Sequence, residues 1–356
     1  DPYSAASSEL YQDLFDEGSF SGKGLLHVAA LQAVLAGRLP DGLVLSHDLL
    51  EGSLARCAVL TDITLVEEAP FHADVAASRV HRWMRGDWQL LPLLRPGRLP
   101  LAGVHRWKML DNLRRSLVAP LSLGLLLLVL AGRSVAPLAA LLLVLAAFAA
   151  GPLMGALAGL APSRDDIAKR HFYRQAGAEV LRALLGGLWH LAMLLQQALA
   201  ALDAIGRALW RLAVSHRGLL QWTTAAAAQA AAAPGLRRLV RRHRATSLAA
   251  LGLAAALAAD ALWGSGTGRA LLPLALAMCA LWGAAPLWTW WVSRPLPDCD
   301  GAPLDTAQRH HLQGVARDTW RYFERCVTAA DLYLPPDNLQ TTPHDMLAHR
   351  TSPTNI

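Results

Sequence analysis

The sequence is poor in cysteine and in aromatic residues, and both shortages restrict what the chain can be. Its four cysteines, Cys57, Cys279, Cys299 and Cys326, lie far apart, with no Cys-x-x-Cys pair and no histidines at metal-ligand spacing. They indicate neither a disulfide framework nor a zinc site, which suits a reducing compartment. Aromatic residues make up 6% of the chain while apolar residues make up 54%. The apolar excess is leucine and alanine in long blocks, which favours a membrane protein.

Formal charge is almost absent from four of these blocks. A soluble helical bundle would interrupt such blocks with a charge every turn or so to keep one face hydrated. Each block approaches or exceeds the ~20 residues that cross a ~30 Å hydrocarbon core. We therefore predict two transmembrane hairpins, over residues 111–163 and 246–293, built from the blocks Ser116–Gly132, Ser134–Ser163, Ser247–Trp263 and Ala270–Ser293.

The net charge is +6, and arginine is strongly preferred over lysine. The arginines crowd the ends of apolar blocks, which favours membrane-flanking charges over nucleic-acid binding, so no nucleic-acid partner is expected. We predict a cytoplasmic or interfacial basic helical region over 164–245, with the short turns at Arg133 and 264–269 on the other side. Within 164–244, four acids oppose thirteen basic residues: Arg164, Lys169, Arg170, Arg174, Arg182, Arg207, Arg211, Arg217, Arg237, Arg238, Arg241, Arg242 and Arg244.

One segment of this basic region leaves the topology open. Ala183–Leu202 carries no formal charge, so it has the length and composition of a fifth span. It also contains His190 and two glutamines, and it continues into a charged stretch with an apolar stripe. We favour an amphipathic helix in the membrane interface. A fifth span would place the C-terminal tail on the opposite side.

Residues 1–110 are more mixed in composition. Short apolar runs at 43–45, 58–60 and 63–66 alternate with helical stretches such as 24–35. This alternation predicts an α/β domain whose site lies on the loops that follow the strands.

The first candidate site is Ser46–Gly52, where an apolar run ends in a polar turn with two carboxylates, Asp48 and Glu51. An inverting sugar transfer needs one carboxylate to take a proton from the acceptor hydroxyl, and Asp48 is the candidate base. The alternative is structural, with Asp48 capping the next helix and Glu51 completing a capping box.

A second candidate site lies in Arg79–Gln89, which holds three arginines and two tryptophans. Guanidinium groups can neutralise a leaving diphosphate, and an indole face can stack on a sugar ring. The alternative is an interfacial helix with ordinary anchors. The combination with Asp48 favours a site in which Arg82 and Arg85 lie near the pyrophosphate and Trp83 under the acceptor sugar, with Glu51 and Asp87 as further substrate-binding residues.

An Asp-bearing loop, then a Gln-x-x-Arg-Trp-like segment, then membrane helices resembles the processive cellulose, chitin and hyaluronan synthases. Arg82 and Trp83 match the Arg-Trp of that motif, and Arg79 stands where its Gln would be. A finer resemblance, over essentially the whole chain, is to the cyclic β-1,2-glucan synthases. Leu26–His27 departs from that family, which has an aromatic and an acid there. The resemblance is carried by Phe15–Gly24, Ser46–Gly52, Val66–Glu68, His81–Gln89, Leu334–Gln340 and Ala348–Ile356.

This resemblance implies an inverting hexosyltransferase that builds β-1,2-glucan from UDP-glucose. It implies that residues 1–110 are the C-terminal half of a GT-A-like α/β glycosyltransferase domain, with Glu17 and Lys23 on a substrate-binding loop. The family holds UDP through an Asp-x-Asp motif and a divalent cation, Mg²⁺ or Mn²⁺. No such motif precedes Phe15, so the cation ligands are expected outside this chain, and Asp298–Asp300 is interpreted as a surface linker.

Residues 294–356 are expected to form a linker and the start of a glucoamylase-like domain. The chain lacks an initiator methionine and ends inside what resembles a continuing motif, so we expect a fragment of a longer polypeptide, inactive in isolation. The expected partners are UDP-glucose, the growing β-glucan, the lipid bilayer and the rest of the same polypeptide, in a bacterial inner (plasma) membrane. The alternatives are a synthase of another polysaccharide and a non-catalytic membrane subunit of a glucan export or synthesis complex.

Overall fold

A computed structural model describes residues 12–20, 22, 24–39, 42–60, 70–133, 136–160, 168–232, 235–263, 266–294 and 304–351. The chain divides into two compact units, Asp1–Arg294 and Pro295–Ile356. The described residues are mostly helical. In the first unit the helices are α1 (Val28–Leu35), α2 (Asp48–Ala55), α3 (Ala73–Gln89), α4 (Gly103–Leu130), α5 (Pro137–Ala158), α6 (Lys169–Ala192), α7 (Leu194–Trp210), α8 (Ala225–Ala231), α9 (Leu236–Arg242), α10 (Arg244–Trp263), α11 (Gly266–Gly283) and α12 (Ala285–Val292).

Three helices are long and apolar enough to cross a membrane: α4, the Pro137–Leu157 stretch of α5, and α10. Helices α11 and α12 pass the same test as a pair bent by 48°. The predicted apolar blocks thus fall on α4, α5, α10 and the α11–α12 pair. Helix α4 begins at Gly103, well before the predicted Ser116, because its first turns carry polar residues that an apolar criterion rejects.

The ambiguous segment 183–202 is broken at Met193, where α6 and α7 meet at 70°. Helix α7 is amphipathic, and the alanines Ala198, Ala201, Ala204 and Ala208 on its buried face are fully inaccessible. This face packs against α3 and α4. By length and composition the α6–α7 pair would also count as one bent span, so whether it crosses the membrane or lies in the interface stays a prediction.

The strands predicted near the N-terminus are not found in the described residues. Residues 43–45 and 58–60 form turns and irregular structure, and 63–66 lie outside the described residues. A strand needs a neighbouring backbone to pair with. Here the Leu45 N–H donates instead to Oε1 of the Gln89 side chain, at 3.3 Å. In the described residues, the apolar helices of the expected fold are therefore present, and its α/β sheet is not.

A small apolar core joins α2 to the end of α3 and the start of α4. Leu50 of α2 is fully buried, and it packs with Leu90 and Leu93 from the 3₁₀ turn Leu91–Leu94 and its flank, and with Met109 of α4. Burying a leucine contributes about 1.5–3 kcal/mol. This core fixes the helix that begins at Asp48 beneath the C-terminal end of α3.

The second unit contains α13 (Thr306–Cys326), the 3₁₀ turn Ala329–Asp331, and the antiparallel pair β1 (Leu339–Gln340) and β2 (Met346–Leu347). Helix α13 begins with a capping box between Asp305 and Gln308. Tyr322 donates its hydroxyl to the Pro336 carbonyl at 2.6 Å, which ties the helix to the following loop.

Candidate functional site

Asp48 is the first residue of α2, so it follows a turn rather than the predicted strand. The N-cap is His47, whose side chain makes no capping hydrogen bond. The carboxyl group of Asp48 is partly exposed, and it lies against Gly22: a Cβ at Gly22, whose φ is +87°, would lie 3.0 Å from the carboxyl group. A side chain at position 22 would therefore press on this carboxylate, and the positive φ would strain it as well.

Asp48 belongs to a cluster with His47 and Glu51. His47 Nδ1 lies 2.9 Å from Glu51 and 3.6 Å from Asp48. Their ligand atoms all lie within 4.8 Å of one another, the geometry of a candidate cation site. We assign no cation there, because His47 already pairs with Glu51 and a bound cation would neutralise the carboxylate expected to accept a proton. The structural alternative, a capping box formed by Asp48 and Glu51, is not found, because His47 is the N-cap and Glu51 pairs with its imidazole.

The segment before Asp48 is packed onto α3 at a glycine. A Cβ at Gly86 would lie only 2.3 Å from Ser46 Cβ, so the absence of a side chain there permits the contact. Gln89, one turn further along α3, is 1% exposed; its Oε1 accepts from Leu45 N–H, and its Nε2 donates to the Leu219 carbonyl at 3.0 Å. Arg82, Gly86 and Gln89 lie at positions i, i+4 and i+7 of α3, so they share one face of the helix. The structure thus brings the Asp48 loop onto the arginine-bearing face of α3.

The same face of α3 holds a segment that sequence reasoning missed, Gly218–Trp222. The Arg85 guanidinium donates to the Gln221 carbonyl, and the Arg82 guanidinium lies 4.6 Å from the centre of the Trp222 ring, in cation–π geometry. Burial, and then the nearby Arg211 and Arg207, lower the pKa of Arg85. Both arginines assigned to the pyrophosphate therefore already have partners in this structure. The sequence does contain one local indication of this segment, because Trp222 is an isolated aromatic residue between two helices.

Trp83 lies about 100° around the helix from Arg82. Trp83 is 37% exposed, and the Arg79 guanidinium lies 4.5 Å from the centre of its ring. An exposed indole of this kind can accept a sugar ring on its free face. Among the described contacts, none joins Trp83 to Asp48.

Asp87 faces α4, a candidate membrane span, rather than the Asp48 loop. Asn112 of α4 donates to its carboxylate at 3.1 Å, and the neighbouring Trp88 donates to Ser116 at 2.9 Å. Burial raises the pKa of Asp87 to about 6, against the opposing hydrogen bond from Asn112 and the charge of Arg115. These contacts give Asp87 a role in joining α3 to α4.

Glu17 is held by two basic groups from different elements. Arg56, which caps the end of α2, lies 2.7 Å from one carboxylate oxygen, and His105 Nε2 of α4 lies 2.5 Å from the other. Because the Ala102 N–H donates to His105 Nδ1, the ring carries its proton on Nε2 and donates it to Glu17. Burial raises the pKa of Glu17, but His105 and Arg56 outweigh it and the net pKa is lowered.

Next to Glu17, a shallow depression lies between the 18–20 loop, α2 and α4. Lys108, which is 7% exposed, donates to the Gly18 carbonyl at 2.9 Å on its rim. Neither His105 nor Lys108 was identified from the sequence, since each meets its partner about 90 positions away. Lys23 lies outside the described residues. The lining residues are Gly18, Ser19, Phe20, Leu49, Gly52, Ser53, His105 and Lys108.

No protein-family model matches the chain. The chain is 41% identical over 360 aligned residues to the cyclic beta-(1,2)-glucan synthase NdvB of Rhizobium meliloti (strain 1021). The alignment covers the whole chain and 12% of that relative's length. The chain therefore spans only a small part of the length of the curated relative that it matches.

Proposed function

Since the chain is homologous along its whole length to a segment of a cyclic β-(1,2)-glucan synthase, we propose that it forms part of a membrane glycosyltransferase that polymerises glucose from UDP-glucose into β-1,2-glucan. The activity of the whole enzyme, its substrates and its partners all belong to this proposal. So does the GT-A-like α/β arrangement, in which the N-terminal residues would pack against a sheet from elsewhere in the polypeptide.

The structural observation that supports the proposed roles of Asp48 and Arg82 is the packing of the Asp48 loop on α3. Ser46 lies on Gly86 and Leu45 bonds to Gln89, on the face that carries Arg82. One carboxylate and a guanidinium pair are thus held on neighbouring elements beside α4, a candidate membrane helix.

In the proposed reaction, Asp48 takes the proton of the acceptor's 2-hydroxyl while that oxygen forms a bond to C1 of the donor glucose. The bond from C1 to the diphosphate oxygen breaks on the opposite face, and UDP leaves with the electron pair. Arg82 and Arg85 would stabilise the charge that develops on the diphosphate, after Arg85 releases the Gln221 carbonyl. Trp83 would stack on the acceptor sugar. A divalent cation on the diphosphate would be held by residues outside this chain.

The candidate spans also support a bilayer location. Helices α4, α5 and α10 with the bent α11–α12 pair would make four crossings. The basic region 164–244 would then lie on the same side as the N-terminal residues, and the positive-inside rule favours the cytoplasmic face of an inner membrane for it.

The proposal is tested by Asp48→Asn in the full-length enzyme, with incorporation of labelled glucose from UDP-glucose into polymer as the readout. Loss of a general base should lower the rate by about 10²–10⁴-fold. Asp318→Asn, at an exposed carboxylate on α13, is the matched control and should retain normal synthesis. Polymer formation at near-normal rate by Asp48→Asn would remove Asp48 from the role of base.

A further inference from the structure

Helix α9 has two faces of opposite character. Leu239 and His243, one turn apart, are buried, at 3% and 4% exposure. Arg237, Arg238 and Arg241 are exposed and lie together on the other side, at i, i+1 and i+4. The helix therefore presents a compact row of guanidinium groups away from the protein.

This row is poorly neutralised by the protein itself. Among the described residues, the acidic side chain in contact with this helix is Asp74, which pairs with Arg242 at 3.1 Å and with His243 at 2.9 Å. These two contacts lie on the inner side. The outer arginines therefore keep their positive charge unpaired among the described residues.

The position of α9 relative to the membrane helices identifies its environment. Helix α10, a candidate span, begins at Arg244, directly after α9. Ser293, at the end of the α11–α12 pair, accepts a hydrogen bond from Ala73 N–H at 3.0 Å, beside Asp74. One span begins and another ends at this level, where Arg294 also lies 3.4 Å over the Trp290 ring. Tryptophan and arginine are typical of the membrane–water interface.

We propose that Arg237, Arg238 and Arg241 form a binding surface for the phosphate groups of anionic phospholipids. These three arginines form no ion pair among the described residues. Each arginine near an anionic membrane surface raises the affinity for it roughly fivefold. The inner face of the same helix holds Asp74 at the start of α3, so bound lipid would steady the helix that carries Arg82 and Trp83. Lipid binding at this surface is measured directly, so the test does not depend on glucan synthesis.

The test uses the full-length protein in neutral detergent, titrated with dioctanoyl phosphatidylglycerol or dioctanoyl phosphatidylcholine, with affinity measured by thermophoresis. Wild-type protein should prefer the anionic lipid, and the triple variant Arg237→Gln, Arg238→Gln, Arg241→Gln should bind it on the order of a hundredfold more weakly. The matched triple variant Arg309→Gln, Arg317→Gln, Arg321→Gln on α13 removes three exposed arginines and should stay within about twofold of wild type. A triple lysine replacement on α9 should also retain binding.

Equal binding of the two lipids, or an unchanged affinity in the α9 glutamine variant, would overturn the proposal. A second arm replaces the lipid with glycerol 3-phosphate. Binding of this soluble phosphate as tightly as the lipid, with the same dependence on α9, would show a free-phosphate site and would also reject the lipid surface.

Discussion

Asp74 Oδ1 lies 2.9 Å from His243 Nε2, although the two residues are 169 positions apart, and both side chains are buried. The contact joins the start of α3 to the turn between α9 and α10. The helix with the Arg82–Trp83 pair is thereby attached to the entry of a candidate membrane span. His72, beside this contact, is also buried, and its Nδ1 accepts a hydrogen bond from the Asp74 N–H at 3.2 Å.

Asp74→Asn should destabilise the protein at neutral pH by about 2 kcal/mol, the scale of a hydrogen bond to a charged group. Burial raises the pKa of Asp74, but His243 and then Arg242 outweigh it, so the folded-state pKa lies below the ordinary value. The ionised pair therefore stabilises the fold above the ordinary pKa, and this stability is lost as the pH falls through the lowered value. Thermal unfolding in detergent at several pH values measures it, with Asp318→Asn as the control. Equal melting of Asp74→Asn and wild type at pH 7 would contradict it.

Gly86→Ala should separate the Asp48 loop from α3. The added Cβ would meet Ser46 Cβ at 2.3 Å, and overpacking of this kind costs about 1–3 kcal/mol. Glucose incorporation by the full-length enzyme should fall, and hydrogen exchange of residues 42–48 should become faster. Gly206→Ala on α7, where a Cβ meets open space, is the matched control. If the two alanine variants behaved alike, the contact would have no part in holding the loop.

The long uncharged blocks were enough to predict the apolar helices, because a span is set by local composition. The contacts that build the candidate site are not local. Val44 lies in an apolar run that resembles a strand, yet it packs beside Leu50 in the core under α3. The residues next to Val44 in the sequence give no indication of its contact with Leu50. In the same way, the family resemblance implied that Glu17 binds substrate, and its pairing with His105 and Arg56 could not be predicted because only the fold brings them to its carboxylate.

Glu17 should act by positioning its loop rather than by touching sugar. A double-mutant cycle of Glu17→Gln and His105→Gln should therefore give a coupling free energy of about 0.5–3 kcal/mol in thermal unfolding. The KM for UDP-glucose in the full-length enzyme should change little in either variant, while kcat falls. Glu17→Gln with Gln313→Met, an exposed site on α13 in the second unit, provides the uncoupled control cycle. A large rise in KM without any coupling would instead indicate direct substrate contact.

Asp87→Asn should alter the pH dependence of stability in the direction opposite to Asp74→Asn. Burial raises the pKa of Asp87 to about 6, so between its ordinary pKa and pH 6 the folded state binds more protons than the unfolded state. The contribution of protonated Asp87 to the free energy of unfolding is fully present at low pH. It is lost as the pH rises through about 6, because the buried carboxyl group must then ionise. Asparagine stays neutral and can still accept from Asn112. The variant should therefore unfold at a higher temperature than wild type at pH 7.5, and the difference should vanish near pH 4. A variant that is less stable than wild type at pH 7.5 would show that the ionised carboxylate is favourable at the α3–α4 contact.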